Sequence, residues 1–261
     1  MNILEQIVRD KRVEIESRKR KTPLDSLRAA ASARPVPPDF AKSLCSVPMG
    51  LIAEVKRRSP SAGVIREPFE PAAIARAYET AGAQAISVLV DQKYFGGGEE
   101  EFRAVRAAVK LPLLYKEFVI DPWQIWHAAS LGASAILLIA AVLNDRELFE
   151  FVQLAGRARL QALLEVHNED EMRRAAKSGA DLMGVNNRDL RDFTVSLETS
   201  LRLKALAPER CVLVSESGIC SAGDVEKLKA AGIRAVLVGE RLLRQADIGR
   251  AVADLMRPSP S

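Results

Sequence analysis

The chain has 261 residues, 48% of them hydrophobic and 28% charged, with a formal net charge of +4 and an isoelectric point near 9.0. This is the balance of an ordinary globular protein, and acidic residues interleave the basic ones throughout, which argues against a nucleic-acid partner. Cys45, Cys211 and Cys220 show no CxxC spacing and only His127 and His167 accompany them, so neither a disulfide framework nor a metal site is expected.

The N-terminal stretch MNILEQIVRDKRVEIESRKRK alternates charged and apolar residues. It reads as a helix, not as a signal peptide or membrane span, which makes a reducing cytoplasm the expected compartment and excludes a membrane partner. Its basic run, Arg18 to Lys21, is expected to be a solvated face. A Pro-rich turn (Pro35, Pro37, Pro38) and a short helix around Phe40 to Leu44 follow. Residues 1–48 are therefore expected to be a helical extension packed on the main domain, residues 49–256, with a flexible tail at 257–261. At this length there is no room for a second large domain.

The segment Ala53 to Gly63, AEVKRRSPSAG, opens the main domain. Leu51, Ile52 and Ala53 read as a buried strand that delivers Glu54 and Lys56 to one face, because side chains two apart share a face. An acid and a base at a buried strand end are costly unless they pair or do chemistry.

Four later segments share one pattern, a small residue or leucine, Gly, and then an apolar run: AGAQAISVLV from Ala81, LGASAILLIA from Leu131, SGADLMGVN from Ser178 and AGIRAVLVG from Ala231. Their glycines, Gly82, Gly132, Gly179 and Gly232, lie 50, 47 and 53 residues apart. Each follows an amphipathic stretch and reads as a helix C-cap. The apolar runs after them lack alternation, as parallel strands covered on both faces do. Further strands are expected at Leu51–Lys56, Pro112–Lys116, Leu160–Glu165 and Cys211–Ser215. Eight strand–helix units in one ring make an α/β, (β/α)₈ TIM barrel. The competing doubly wound open sheet lacks its Gly-rich fingerprint after the first strand.

In such a barrel the chemistry sits where strands end. Those ends carry Glu54 and Lys56, Lys116 and Glu117, Glu165, then Asn186, Asn187 and Arg188, then Ser215 to Gly218, and finally Gly239. Strands two and four end apolar, at Val88–Val90 and Leu137–Ile139. One charged arc facing one apolar arc suits an amphipathic anionic substrate. A lysine kept protonated by carboxylates can act as general acid or electrostatic clamp, and a desolvated glutamate can shuttle protons near neutrality. His167, two residues past Glu165, could face the same way but is expected to be a solvated loop residue. SESGI from Ser215 is expected to open the seventh helix and VGERL from Val238 another, at the strands where barrels bind phosphate.

With these residues laid out, the chain resembles the indole-3-glycerol-phosphate synthase family from about Ile3 to Leu243. EVKRRSPSAG, ISVLVDQKYFGG, YKEF, ALLEVHNEDE, GVNNRDL, SESGI and LVGERL occur in the family's order. The resemblance implies Lys116 as general acid for ring closure and Glu165 as acid/base for dehydration. It implies Lys56 orienting the substrate at its carboxylate and sharing in proton transfer, Glu54 and Asn186 holding the sugar hydroxyls and the lysines, and Glu216 joining that polar network. Ser59 and Arg188 would fix the carboxylate end, and Pro60, Phe95, Phe118, Leu137 and Leu190 would form the slot for the aromatic ring. Ser217, Gly218, Gly239 and Glu240 would cradle the phosphate through backbone N–H groups.

The family usually reads KDF at Lys116-Glu117-Phe118, Thr-Glu at Val90-Asp91, and often Ser at Glu240. The substrate implied is a phosphorylated amino-ketose, 1-(2-carboxyphenylamino)-1-deoxyribulose 5-phosphate, and no metal or redox cofactor is called for. A monomer is expected. Two other readings stay open at this point: another phosphosugar barrel, such as a phosphoribosylanthranilate isomerase, and a catalytically silent phosphate-binding subunit.

Overall fold

The computed structural model describes residues 3–189 and 193–257. Leu190, expected in the aromatic slot, lies outside the described residues, as do residues 258–261 of the expected tail.

Eight parallel strands close into a barrel: β1 (Gly50–Val55), β2 (Ala85–Leu89), β3 (Leu113–Lys116), β4 (Ala135–Ile139), β5 (Gln161–Val166), β6 (Leu182–Asn186), β7 (Val212–Glu216) and β8 (Ala235–Val238). Each pairs with its sequence neighbours, and β1 closes on β8 with Leu51 opposite Val236 and Ile52 opposite Leu237. The strands fall within a residue or two of the expected ones. A helix follows each, and the glycines of the repeat do cap: Gly82, Gly132, Gly179 and Gly232 take φ between 81° and 87°, a region that costs residues with a Cβ. SESGI departs from expectation. The helix after β7 is Ala222–Ala230, capped by Ser221, so Ser217 and Gly218 lie in the preceding loop.

Two apolar layers build the molecule. Leu51, Ala53, Val88, Tyr115, Leu138 and Val185 point outward against the helices. Ile52, Ala85, Leu114, Ala135, Leu137, Leu163, Leu182, Val214, Ala235 and Leu237 fill the interior. The two-residue period then decides what appears at the C-terminal mouth. Two residues past interior Ile52, Leu114, Leu163 and Val214 come Glu54, Lys116, Glu165 and Glu216. The same backbone alternation that buries the apolar layer thus aims four titratable groups into one space.

The N-terminal residues form α1 (Ile3–Lys21), α2 (Leu24–Ser32) and α3 (Phe40–Leu44). Phe40 and Leu44 join the interior cluster and plug the barrel's N-terminal end. Gln161 Oε1 accepts from the N–H groups of Phe40 and Ala41 at 2.6 and 3.0 Å. Gly50 makes the close approach possible, since a Cβ there would stand 2.6 Å from the Leu44 carbonyl oxygen.

α1 lies across the opposite end. Its basic run is only partly solvated, which corrects the expectation. Arg18 stacks over Trp123 at 5.0 Å and reaches His127, and Lys19 pairs with Asp121 at 2.7 Å.

Candidate active site

At the barrel mouth, Lys116 Nζ lies 2.5 Å from Glu216 Oε2 and 3.6 Å from Glu165 Oε2. Lys56 donates to Glu54 Oε1, and Asn186 Nδ2 donates to Glu165 Oε1 at 3.3 Å. Glu54, Glu165 and Glu216 are buried, whereas the side chains of both lysines are only partly buried. Two cations thus stand among three buried carboxylates, and the fields of each set the others.

Burial acts to discharge Lys116, but Glu216, Glu165 and Glu54 outweigh it and raise its pKa above the ordinary lysine range. Burial acts to protonate Glu54, but Lys56 and Lys116 outweigh it and hold the carboxyl below its usual range. Glu165 follows the same logic: burial pushes it up, while His167, Lys116 and Asn186 bring it well down. Glu216 goes the other way. Burial dominates there, and Glu165 and Glu54 add to the upward push that Lys116 opposes. Its Oε1 is buried without a partner, so Glu216 is the carboxyl most ready to carry a proton.

Two glycines create room for this cluster. A Cβ at Gly184 would stand 2.1 Å from Glu216 Oε1, and one at Gly239 would stand 2.7 Å from Glu54 Oε1. Gly239, expected to admit a phosphate, therefore serves the carboxylate of β1 as well.

A cavity of about 690 Å³ opens above the cluster. Its walls include Glu54, Lys56, Ser59, Pro60, Phe95, Lys116, Phe118, Leu137, Glu165, Asn186, Arg188 and Glu216, together with Ser217, Gly218, Gly239 and Glu240. Every candidate among the described residues thus borders one space. Phe95 and Phe118 stand 6.1 Å apart, tilted by 38°, on the side where Leu137 and Ile139 close the apolar arc. On the other side, Ser217 and Gly218 both take left-handed backbone, φ 67° and 80°. Asn187 holds that strained turn, donating to the Ser217 carbonyl at 3.0 Å and to Ser215 Oγ at 2.9 Å. It fastens β6 to β7 from outside the pocket. The Glu240 carboxylate turns to Arg244 at 2.8 Å, so it is paired.

Three features were not foreseen from the sequence. Ile3, Leu4 and Ile7 of α1 line the cavity. Glu117, expected as a strand-end group beside Lys116, is instead 2.9 Å from Lys11 of α1, which also lies 2.9 Å from Asp91. All three are at most 2% exposed. His167, expected in solvent, is half-buried, with Nε2 3.3 Å from Glu165 Oε1 and Nδ1 3.1 Å from Glu171 Oε2. Burial acts to discharge the imidazole, but these two carboxylates win and raise its pKa to about 10. The i, i+4 spacing of His167 and Glu171 was the available signal. It needed the strand end at Val166 to become meaningful.

Among known proteins, a family model described as Indole-3-glycerol phosphate synthase matches residues 4–255. The indole-3-glycerol phosphate synthase of Roseiflexus castenholzii (strain DSM 13941 / HLO8) is 48% identical over 262 aligned residues, covering 97% of each chain. That of Desulfotalea psychrophila (strain LSv54 / DSM 12343) is 44% identical, covering 98% of this chain and 99% of its own. The chloroplastic one of Arabidopsis thaliana is 44% identical, covering 97% of this chain and 66% of its own. Among solved structures, thiamine phosphate pyrophosphorylase from Pyrococcus furiosus superposes with a TM-score of 0.60 at 18% identity, over 80% of this chain and 95% of that one. That last likeness is one of fold alone.

Proposed function

The chain belongs to the indole-3-glycerol phosphate synthase family and closes the indole ring of its substrate with loss of CO₂ and water, and we propose the following division of labour within its site. Lys116, as an ammonium, gives its proton to the ketone oxygen while the aryl carbon bonds to the ketone carbon. Departure of CO₂ returns its electron pair to the ring and restores aromaticity. Glu165 then serves as acid/base for loss of the hydroxyl as water, with Asn186 keeping its carboxylate aimed. Lys56, steered by Glu54, holds the substrate carboxylate, with Arg188 and Ser59 beside it. Glu216 keeps Lys116 charged and positioned.

The aromatic ring lies between Phe95, Phe118, Pro60 and Leu137, and the phosphate lies at Ser217, Gly218, Gly239 and Glu240. Residues 1–48 belong to the same catalytic unit as the barrel, and the enzyme acts as a cytoplasmic monomer.

The observation that carries the assignment is the Lys116 ammonium held between two carboxylates at 2.5 and 3.6 Å. Such a group is charged, desolvated and aimed into the cavity, as a general acid must be. The test is incubation of purified protein with the carboxyphenylamino-deoxyribulose phosphate while following indole fluorescence. Fluorescence should grow with turnover. An isomerase or a silent subunit would produce none.

A further inference from the structure

The two phenylalanines of the aromatic slot come from different loops. Phe95 ends the short helix Gln92–Phe95 after β2, and Phe118 follows the end of β3 by two residues. The register between β2 and β3 ends with Leu89 opposite Lys116, before either phenylalanine. Their relative placement is therefore left to side chains.

Both loops hang on carboxylates, and both carboxylates meet on one ammonium. Asp91 Oδ1 accepts from the N–H of Tyr94, the neighbour of Phe95, at 2.6 Å. Glu117 Oε1 accepts from the N–H of Phe118 itself at 2.8 Å, and Gln124 Nε2 donates to the Phe118 carbonyl at 2.8 Å. The second oxygens, Asp91 Oδ2 and Glu117 Oε2, each lie 2.9 Å from Lys11 Nζ. Glu14 Oε2 stands at 2.7 Å, so the three donors of the ammonium face three carboxylates. Lys11, Asp91 and Glu117 are at most 2% exposed, so bulk water does not compete for these contacts.

We propose that Lys11 is a positioning residue for the substrate's aromatic ring: by tying Asp91 and Glu117 to one point, it sets where Phe95 and Phe118 stand relative to each other. The 6.1 Å separation and 38° tilt of the two rings then depend on the summed length of a short arm, Asp91, and a long one, Glu117. α1 grips the Phe95 turn a second time, since Asp10 Oδ2 accepts from Lys93 Nζ at 2.6 Å and from the Tyr94 hydroxyl at 2.5 Å. Ile7, one helical turn before Lys11 and so on the same face, lines the cavity directly. One helix thus supplies part of the wall and places two further pieces of it. Lys11 acts on the ring only through Asp91 and Glu117.

The proposal rests on the reading of Phe95 and Phe118 as the ring's slot, and its test uses competitive inhibition by two probes. 2-Aminobenzoate reports the ring end of the site and inorganic phosphate the other end. Asp91→Glu and Glu117→Asp each change one arm by a methylene and keep every charge. In each, the inhibition constant of 2-aminobenzoate should rise about tenfold, the low end of a one-methylene misfit in an apolar pocket, while that of phosphate stays within about twofold. The double variant exchanges the two arms and restores their sum. The flexible lysine stem can follow, so 2-aminobenzoate inhibition should return most of the way to that of the parent. Lys11→Met combined with Glu117→Gln cuts the tie and leaves one buried carboxylate fewer. It should show the same loss confined to 2-aminobenzoate, and it decides the matter if a length variant does not fold.

Unchanged 2-aminobenzoate inhibition in these variants would overturn the proposal. So would a parallel weakening of both probes, or a double length variant no better than the worse single one, because a clamp that merely holds α1 in place would behave in those ways. Failure of the slot reading itself would appear in Phe118→Ala, as unchanged 2-aminobenzoate inhibition, and would overturn the proposal by a separate route.

Discussion

Lys116 stands two residues past Leu114 on β3, so the last interior position of that strand carries an ammonium where the other interior positions carry hydrocarbon. Lys116→Met keeps the aliphatic stem and removes only the charge and the proton. General acid catalysis contributes about 10²–10⁴-fold, and turnover should fall by at least that much in a steady-state assay. Binding of a substrate analogue, measured by calorimetry, should weaken far less, because the phosphate and carboxylate anchors lie on other strands. Lys116→Arg should not restore the rate, since a guanidinium keeps its proton and its fork has the wrong shape. A second residue-scale test concerns space. Gly184→Ala would drive a methyl into Glu216 Oε1, the atom 2.1 Å from the ideal Cβ position. Displacing Glu216 misplaces Lys116, and about 1 Å of misplacement can cost about 10²-fold in rate. Activity should collapse while the unfolding midpoint changes little; a variant with full activity would show that Glu216 can move without consequence.

At the scale of elements, α1 is more than a cover. Lys11 reaches between the loops after β2 and β3 and neutralises Asp91 and Glu117 at once, each at 2.9 Å. The second of these neighbours the proposed acid, Lys116. Burial, helped by the nearby charge of Asp91, pushes Glu117 up to about 7 even with Lys11 beside it. Removing the cation should be severe. Lys11→Met leaves two buried carboxylates uncompensated, a loss of about 3–5 kcal/mol for a broken buried pair, measured as a lower urea midpoint. The Michaelis constant should rise as well, because Ile3, Leu4 and Ile7 of the same helix line the substrate cavity. Adding Glu117→Gln to that variant should recover part of the stability. If Lys11→Met were as stable as the parent, the triad would contribute no net attachment.

For the whole molecule, the docking of α1 predicts acid lability. His127 stacks on Trp123 at 4.9 Å, and its Nε2 lies 3.0 Å from both Arg18 Nη2 and Glu99 Oε2. Burial, with the Arg18 charge, lowers its pKa to about 4, against about 6.5 for a free histidine. The unfolded chain therefore takes up a proton between about pH 6.5 and 4 that the folded chain refuses. This contribution is fully present above the unfolded value and is lost as pH falls through that window, by about 3 kcal/mol at most. Glu117 works in the opposite sense, so the comparison with His127→Gln isolates the effect. The stability advantage of the parent over that variant should shrink as urea titrations move from neutral pH down to about pH 4. A constant difference would mean that His127 titrates alike in both states.

What the sequence determined alone is the periodic part. Glycine caps at Gly82, Gly132, Gly179 and Gly232, apolar runs without alternation, and a charged residue at strand ends are all local signals. In a closed parallel barrel, two-residue alternation converts them directly into a mouth of converging groups. Glu54, Lys56, Lys116, Glu165 and Glu216 were therefore legible as one site. The tertiary structure decided what depends on contacts across long stretches of chain. Lys11 meets Glu117 over 106 residues, and nothing local separates a buried lysine from the exposed ones around it on α1. His167 looked like a loop residue until the strand end put one ring nitrogen on Glu165 and the next helix put Glu171 on the other. Ser217 could not be read as left-handed, because its conformation is held by Asn187, thirty residues earlier in the chain. Burial and charge pairing are properties of the packed molecule, and they set which of the mouth's acids holds a proton.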